Sequence, residues 1–574
     1  MYSIKELKVY TIAVILVFVI FNLIFLSDTT IYCFDEAYYM GTSMNMVNSG
    51  DYFIPQYEGK VRFQKPILFY WFISLIYKIF GISIFNARMV SLISGLLTGF
   101  LIFKIASLFF NNKKSKFYAV VSYFSLYSTF IYSRCAITDM NLTFFITLSI
   151  YFFFKLYFTN ERKYSILSMG AMGAGTLIKG YIGFILPLTV ILAFCLIMMR
   201  KNFWDKFKKL FTFPGIITFL IIGISWYLYM YIIYGNAYLY HIIGYETAHR
   251  ISHQLINIGN IHYYSIAFFR HLFPFSILFP GFFLFKKERD KFLYYENKKE
   301  TLFLFIWLLL ILILFIFFIQ EHHSRYILSI IVPFSLLIGN YLSIIEKNGM
   351  LKSINWIIFI LITGIIFLSF LIMGGILVLK LKDINIQFHF YKLYILFFIL
   401  VLELLLLIYS TINQKFKLQV ITVSLTFILT YSIITGLIIP DINPKPINLF
   451  IKNEFKKIKK DDFLITNNLK TPDRWRITIY RKKDIDKFFE NSDLNEIVKY
   501  LYKIKIKRRK IYFITDMKTY RQFPEKLKKR FVLIKEAFKY RRNINVKKFF
   551  KEIKKDKKNI EKFKEYYGMF IYEG

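Results

Sequence analysis

The sequence predicts an all-α polytopic membrane protein of about 13 transmembrane helices over residues 1–440, followed by a small soluble α/β domain over 441–574. Three observations predict it. Phe, Ile and Leu run together in stretches of about 20 residues, the length at which a helix crosses a bilayer. The 574-residue chain is accordingly 56% hydrophobic and 20% aromatic, with a mean hydropathy of +0.47. Lysine and arginine gather in the short loops between those stretches. Beyond Pro440 the hydropathy collapses into a basic tail. There the short β-like runs FLIT, ITIY, IYFIT and FVLI alternate with Lys-rich amphipathic stretches such as 493–503 and 547–567.

The first apolar run, Val9 to Leu26, follows Lys5 and Lys8 and lacks a small-residue cleavage site. It reads as an uncleaved anchor. The next apolar segment, Ile67 to Phe80, is only about 14 residues long, short for a span and suited to a helix lying along the interface. Further spans follow near 84–109, 116–133, 138–158, 164–178, 181–199, 212–234, 263–285, 301–319, 325–345, 353–379, 390–411 and 418–440. With 67–80 on the surface and the N-terminus cytoplasmic, the lysine-rich loops all face the cytoplasm. If 67–80 crossed, every one would face outward, against the positive-inside rule. The outer face of the plasma (inner) membrane then collects the external loop 27–83 with its juxtamembrane helices. It also collects the turn Arg134–Asp139, Lys179–Gly180, the loop 235–262 and Glu321–Arg325. Because 13 is odd, the C-terminal domain joins them on the outer (periplasmic) side.

A net charge of +40 would suit a nucleic-acid partner, but the basic residues are spread over loops and one tail. That distribution orients the chain and attracts anionic membrane lipids, and nucleic acid is set aside. The three cysteines, Cys33, Cys135 and Cys195, make neither a metal-ligand spacing nor a disulfide framework. Cys33 and Cys135 both fall at outer ends of spans, which leaves a bond between them open. Gly170, Gly173, Gly175, Gly180 and Gly183 cluster around Lys179, as either close helix packing or a helix break onto a cavity requires.

The stretch Phe34 to Pro66 opens with Asp35 and Glu36 and closes on Lys60, Arg62 and Lys65. Charge between apolar segments is costly unless it lies in water or in a polar cavity. In SRCAITDMNLTFF, Arg134 and Asp139 fall at a helix start, where orphan amides favour a carboxylate. Lys179, in TLIKGYIGFILP, has no acidic neighbour in sequence; it snorkels to the interface or meets an anion. Arg250 lies in YETAHRISH, and Tyr326 in HHSRYILSIIVP. No cofactor is required by these residues. A divalent metal stays open, with His249, His253 and His262 as candidate ligands, although no zinc-binding helix with an adjacent carboxylate is evident.

Taken in order, D-E-A-x-Y, S-G-D and x-K-P in the opening loop, SRCAITDMNL, K-G-x-x-G-x-x-x-P at Lys179 and R-Y-x-L at Tyr326 resemble the aminoarabinose transferase and protein O-mannosyltransferase group. These are membrane glycosyltransferases of the GT-C class that draw a sugar from a polyprenyl-phosphate carrier. The resemblance spans residues 9–345. It implies a GT-C fold and transfer from that donor to a lipid A-type lipid or other lipid or glycan acceptor at the outer face. It also implies catalytic roles for Asp35, Glu36, Asp139 and Lys65, and a carrier-phosphate site of Lys179, Arg250, Tyr326 and Tyr38. The chain departs from the group at Gln64, where relatives carry Glu, and at Tyr38, where they carry Arg. Loss of that carboxylate implies a neutral sugar rather than an amino sugar. Two alternatives stand beside this one, a protein or glycan O-glycosyltransferase of the same fold and a transporter or flippase. Transporters gather their charges near the midplane and often repeat internally; here the polar residues gather at one face and no repeat is evident.

Overall fold

The computed structural model describes residues 4–27, 35–199, 203–245, 258–285, 298–318, 323–384, 391–438, 450, 454–459, 462–469, 471–483, 485–489, 494–504, 510–540, 552, 561–562 and 564–572. The membrane part runs α1 (Ile4–Ile24), α2 (Asp35–Ser49), the hairpin β1 (Gln56–Tyr57) and β2 (Lys60–Val61), α3 (Leu68–Phe80), α4 (Ile84–Phe109), α5 (Lys113–Ser125), α6 (Tyr127–Tyr132) and α7 (Thr138–Thr159). It continues through α8 (Lys163–Lys179), α9 (Ile182–Met199), α10 (Phe203–Lys208), α11 (Phe213–Gly223), α12 (Ser225–Tyr234), α13 (Asn236–Leu239), α14 (Ile258–His271) and α15 (Phe279–Leu284). It ends with α16 (Lys298–Phe318), α17 (Ile331–Asn348), α18 (Ile354–Ile384), α19 (Tyr391–Ile412) and α20 (Phe416–Ile433).

Among the described residues, eight helices are long and apolar enough to cross a membrane. The α11–α12 pair, bent by 44°, makes a ninth if it counts as one span. The other four expected spans are helical but shorter or interrupted: α5 with α6, α8, α9, and α14 with α15. The break after α5 has a local cause, since Leu126 takes an extended conformation between two helices. Helix α3 is 13 residues long, and it buries Phe69, Tyr70, Ile73 and Tyr77 while exposing Leu75, Ile79 and Phe80. A short helix with one buried and one apolar exposed face is what a segment lying along the interface needs.

The glycine cluster serves close helix packing and the end of a helix. A Cβ on Gly183 would overlap the backbone of Gly175, and one on Gly173 would come within 3.1 Å of the Gly223 backbone. Helix α8 thus touches α9 and α11 through glycine faces, as small residues allow. Gly180, at φ +76°, then ends α8 directly after Lys179.

The C-terminal domain is a five-stranded sheet in the order β4-β3-β5-β7-β6. Its strands are β3 (Phe463–Asn467), β4 (Lys487–Phe489), β5 (Ile511–Asp516), β6 (Phe531–Tyr540) and β7 (Lys564–Tyr572). The first three are mutually parallel, and β7 inserts antiparallel between β5 and β6. FLIT, IYFIT and FVLI fall in β3, β5 and β6. ITIY does not form a strand. It lies in α21 (Thr471–Arg481), the crossover from β3 to β4, because two parallel strands cannot be joined by a tight turn. Helix α22 (Leu494–Lys503) covers the amphipathic stretch 493–503, whereas most of 547–567 lies outside the described residues. Two short helices, α23 (Met517–Arg521) and α24 (Glu525–Lys528), follow β5.

Helix α21 packs on α2. Asn48 Nδ2 donates to the Lys482 carbonyl at 3.3 Å, and Arg474 Nε stands 3.6 Å from Glu58 Oε1 in the β1–β2 turn. The C-terminal domain therefore sits on the same face as the opening loop.

Candidate functional site

Three helix ends and one turn bring the site together. Asp35 begins α2, Asp139 lies in the first turn of α7, Lys179 is the last residue of α8, and Arg325 and Tyr326 lie in the 3-10 turn Ser324–Ile330 before α17. Arg325 NH2 donates to Asp35 Oδ2 at 2.7 Å, and its Nε stands 3.9 Å from Asp139 Oδ2. Lys179 Nζ donates to Asp139 Oδ1 at 2.6 Å and lies 4.7 Å from the centre of the Tyr326 ring. Two carboxylates and two cations thus alternate, Asp35, Arg325, Asp139, Lys179. Alternation is what allows like charges to share a poorly solvated place, because each carboxylate faces a cation before it faces the other. Exposure separates the acids. The Asp35 side chain is 31% exposed and that of Asp139 4%.

A second layer lies behind Asp35. Arg62 Nε donates to the Tyr70 hydroxyl at 2.8 Å, and its guanidinium lies 4.2 Å from the centre of the Tyr38 ring. Burial first, and the Asp35 charge second, push the Tyr39 hydroxyl well above the usual tyrosine range, so it remains a hydrogen-bond donor.

Of the residues the sequence singled out, Asp35, Asp139, Lys179 and Tyr326 come together. Tyr38 stands near them, with its face taken by Arg62 rather than left to an anion. Lys65 is half-buried in the loop between β2 and α3. Glu36, expected beside Asp35 as a catalytic candidate, instead turns into the core. Neighbouring helical residues point about 100° apart, so the two carboxylates face different ways. Arg88 Nε and NH2 donate to its two oxygens at 2.9 and 3.1 Å, and the Ala136 amide donates to Oε1 at 2.8 Å. Every oxygen is occupied. Arg250, His249 and His253 lie outside the described residues, as does Cys33. His262 is exposed on α14, and among the described residues no group of three His, Cys, Asp or Glu is placed to hold a metal. Cys135 is buried, and its thiol donates to the Ile131 carbonyl at 3.3 Å.

Sequence reasoning missed Arg325 and Arg62 as members of the site. Arg325 was within reach, since it precedes Tyr326 in the motif already singled out. For Arg62 the signal was its place among the loop cations, which does not distinguish it from Lys60 or Lys65.

Residues 64–239 match the family described as dolichyl-phosphate-mannose-protein mannosyltransferase. The chain is 32% identical over 279 residues to an uncharacterized protein of Aquifex aeolicus (strain VF5), covering 48% of this chain and 61% of that one. It is also 32% identical over 170 residues to the undecaprenyl phosphate-alpha-4-amino-4-deoxy-L-arabinose arabinosyl transferase 1 of Proteus mirabilis (strain HI4320), covering 29% of this chain and 31% of that one. These matches span between 31% and 61% of the relatives' own lengths. In fold the likeness is longer. The crystal structure of ArnT from Cupriavidus metallidurans bound to undecaprenyl phosphate superposes with a TM-score of 0.69 at 14% identity, covering 90% of this chain and 94% of that chain. In sequence over part of its length and in fold over most of it, the chain resembles the aminoarabinose transferase and protein O-mannosyltransferase group of GT-C membrane glycosyltransferases.

Proposed function

We propose that the chain is a glycosyltransferase that moves a sugar from a polyprenyl-phosphate carrier to a lipid A-type lipid or other envelope acceptor on the outer face of the plasma membrane. The observation that carries this reading is the alternating run Asp35, Arg325, Asp139, Lys179. A phosphodiester entering it exchanges carboxylate for phosphate on two cations already in place, and charge-assisted bonds to phosphate are strong. The acceptor oxygen bonds to the sugar C1 while the C1–O bond to phosphate breaks, and the bonding pair leaves on the phosphate. Lys179 and Arg325 stabilise that growing charge. Where the acceptor is a hydroxyl, its proton passes to Asp35, the more exposed acid. Where it is an ionised phosphate, Asp35 orients it. Asp139 holds Lys179 in position.

In this reading the eight long helices, the bent α11–α12 pair and the four shorter or interrupted helices make thirteen crossings. The N-terminus is cytoplasmic, and α2, the hairpin and the C-terminal domain share the outer face. The donor is a neutral sugar. Arg62 over Tyr38 restores a cation where relatives carry arginine, and where they carry a carboxylate this chain has the neutral, exposed Gln64.

Purified protein in vesicles, supplied with radiolabelled polyprenyl-phosphate sugars and envelope extract, tests each part. The expected result is labelled acceptor from a neutral-sugar donor, lost in Asp35→Asn. Movement of the carrier-linked sugar across the vesicle with no labelled product would establish a flippase instead. An aminopentose as the sole transferred sugar would overturn the donor assignment and leave the transferase standing.

A further inference from the structure

The C-terminal domain has a crevice of its own. From β3 the chain passes through α21 to β4 on one side, whereas from β5 it departs to β6 on the other, beyond β7. In α/β sheets a ligand crevice opens beyond the carboxyl ends of adjacent parallel strands whose connections part in this way. At that place lies a cavity of about 750 Å³, lined by Asn468 just past β3, Asp516 at the end of β5, Lys518 and Arg521 on α23, and Lys564 and Tyr567 on β7. It shares no residue with the Asp35–Lys179 cluster.

The charges in it are unequal in availability. Asp516 is already engaged, accepting from the Thr519 amide at 2.9 Å, the Thr519 hydroxyl at 2.7 Å and Asn468 Nδ2 at 2.9 Å. Lys564 pairs with Glu561 at 2.7 Å. Lys518 and Arg521 are exposed and three residues apart on one helical turn, so both serve the same anion. Glu565 is the other carboxylate at the rim and is exposed to water. Asn468, exposed at the crevice, donates through Nδ2 to Asp516 Oδ2 at 2.9 Å and to Thr519 Oγ1 at 3.1 Å, which leaves its side-chain oxygen to accept from a ligand hydroxyl.

We propose that this crevice binds a sugar bearing one anionic group, a phosphate or a carboxylate. Lys518 and Arg521 take the anion, and Asn468 takes a hydroxyl. The site is independent of the transfer reaction proposed above. Full-length protein in nanodiscs, titrated calorimetrically with glucose 1-phosphate, glucuronate, glucose and inorganic phosphate, tests it. Saturable binding of at least one anionic sugar is expected, weakened about tenfold or more in Lys518→Ala/Arg521→Ala with thermal melting unchanged. The paired control is Lys526→Ala/Lys529→Ala, which removes two exposed cations of the same domain outside the crevice lining and is expected to leave binding intact. Four outcomes would overturn the proposal: no binding of either anionic sugar, equal loss in the control, no loss in the crevice variant, or inorganic phosphate binding as tightly as the sugar phosphate.

Discussion

Glu36 and Arg88 meet in a two-point ion pair in which neither side chain has any solvent exposure, one residue along the helix from the partly exposed Asp35. Arg88 NH1 also donates to the Leu26 carbonyl at 2.7 Å, so the pair fastens α2 and α4 to the end of the first span. Adjacent acids in the sequence therefore have unlike environments. Of the two, Asp35 is the one that meets Arg325, at 2.7 Å.

Removing one partner of such a pair leaves an uncompensated buried charge. Glu36→Ala is expected to cost about 3–5 kcal/mol of stability, and Glu36→Leu/Arg88→Met to recover most of it. Thermal melting in detergent checks this. Unchanged melting in Glu36→Ala together with lost transfer would give Glu36 a chemical part.

Asp35→Asn and Asp139→Asn are each expected to lower transfer by about 10²–10⁴-fold, the range for a positioned acid–base or orienting group. Membrane insertion and expression stay unchanged. Initial rates with a radiolabelled carrier-linked sugar decide it, and wild-type rates in both variants would remove the acids from the mechanism.

Lys179→Met and Arg325→Met are expected to weaken binding of polyprenyl phosphate by about tenfold or more each, because each deletes a charged donor to phosphate. Arg325→Lys is expected to retain part of the affinity, since an ammonium keeps the charge but not the planar fork. Binding is read by titrating the carrier into the nanodisc-bound protein. Equal affinity in all three would move the phosphate elsewhere.

Reporter fusions after Lys114 and after Lys483 are expected to fall on opposite sides of the membrane, cytoplasmic and outer. The first lies in a lysine-rich loop, and the second lies in the domain seated on α2. An exchange of the two sides would mean that α3 crosses, and both on one side would mean that the number of crossings between them is even.

The sequence by itself determined what depends on a short window of residues. The long apolar spans, the short apolar helix at 67–80 and the helix start at Asp139 all follow from hydropathy, length and end chemistry. So does the alternation of strands and helices beyond Pro440. Even there, ITIY was ambiguous, since a run of four β-branched and aromatic residues fits a strand or a buried helix face, and only the β3–β4 crossover made it helix. What lies across the chain was not legible. Arg325 reaches Asp35 over 290 residues, and no local pattern records which cation will face which acid. The same holds for the inward turn of Glu36, which depends on Arg88 arriving from α4. It holds too for the seating of the C-terminal domain on α2. Hydropathy reports the solvent a segment prefers, whereas pairing depends on where folding brings charges together, and that was decided only by the packed helices.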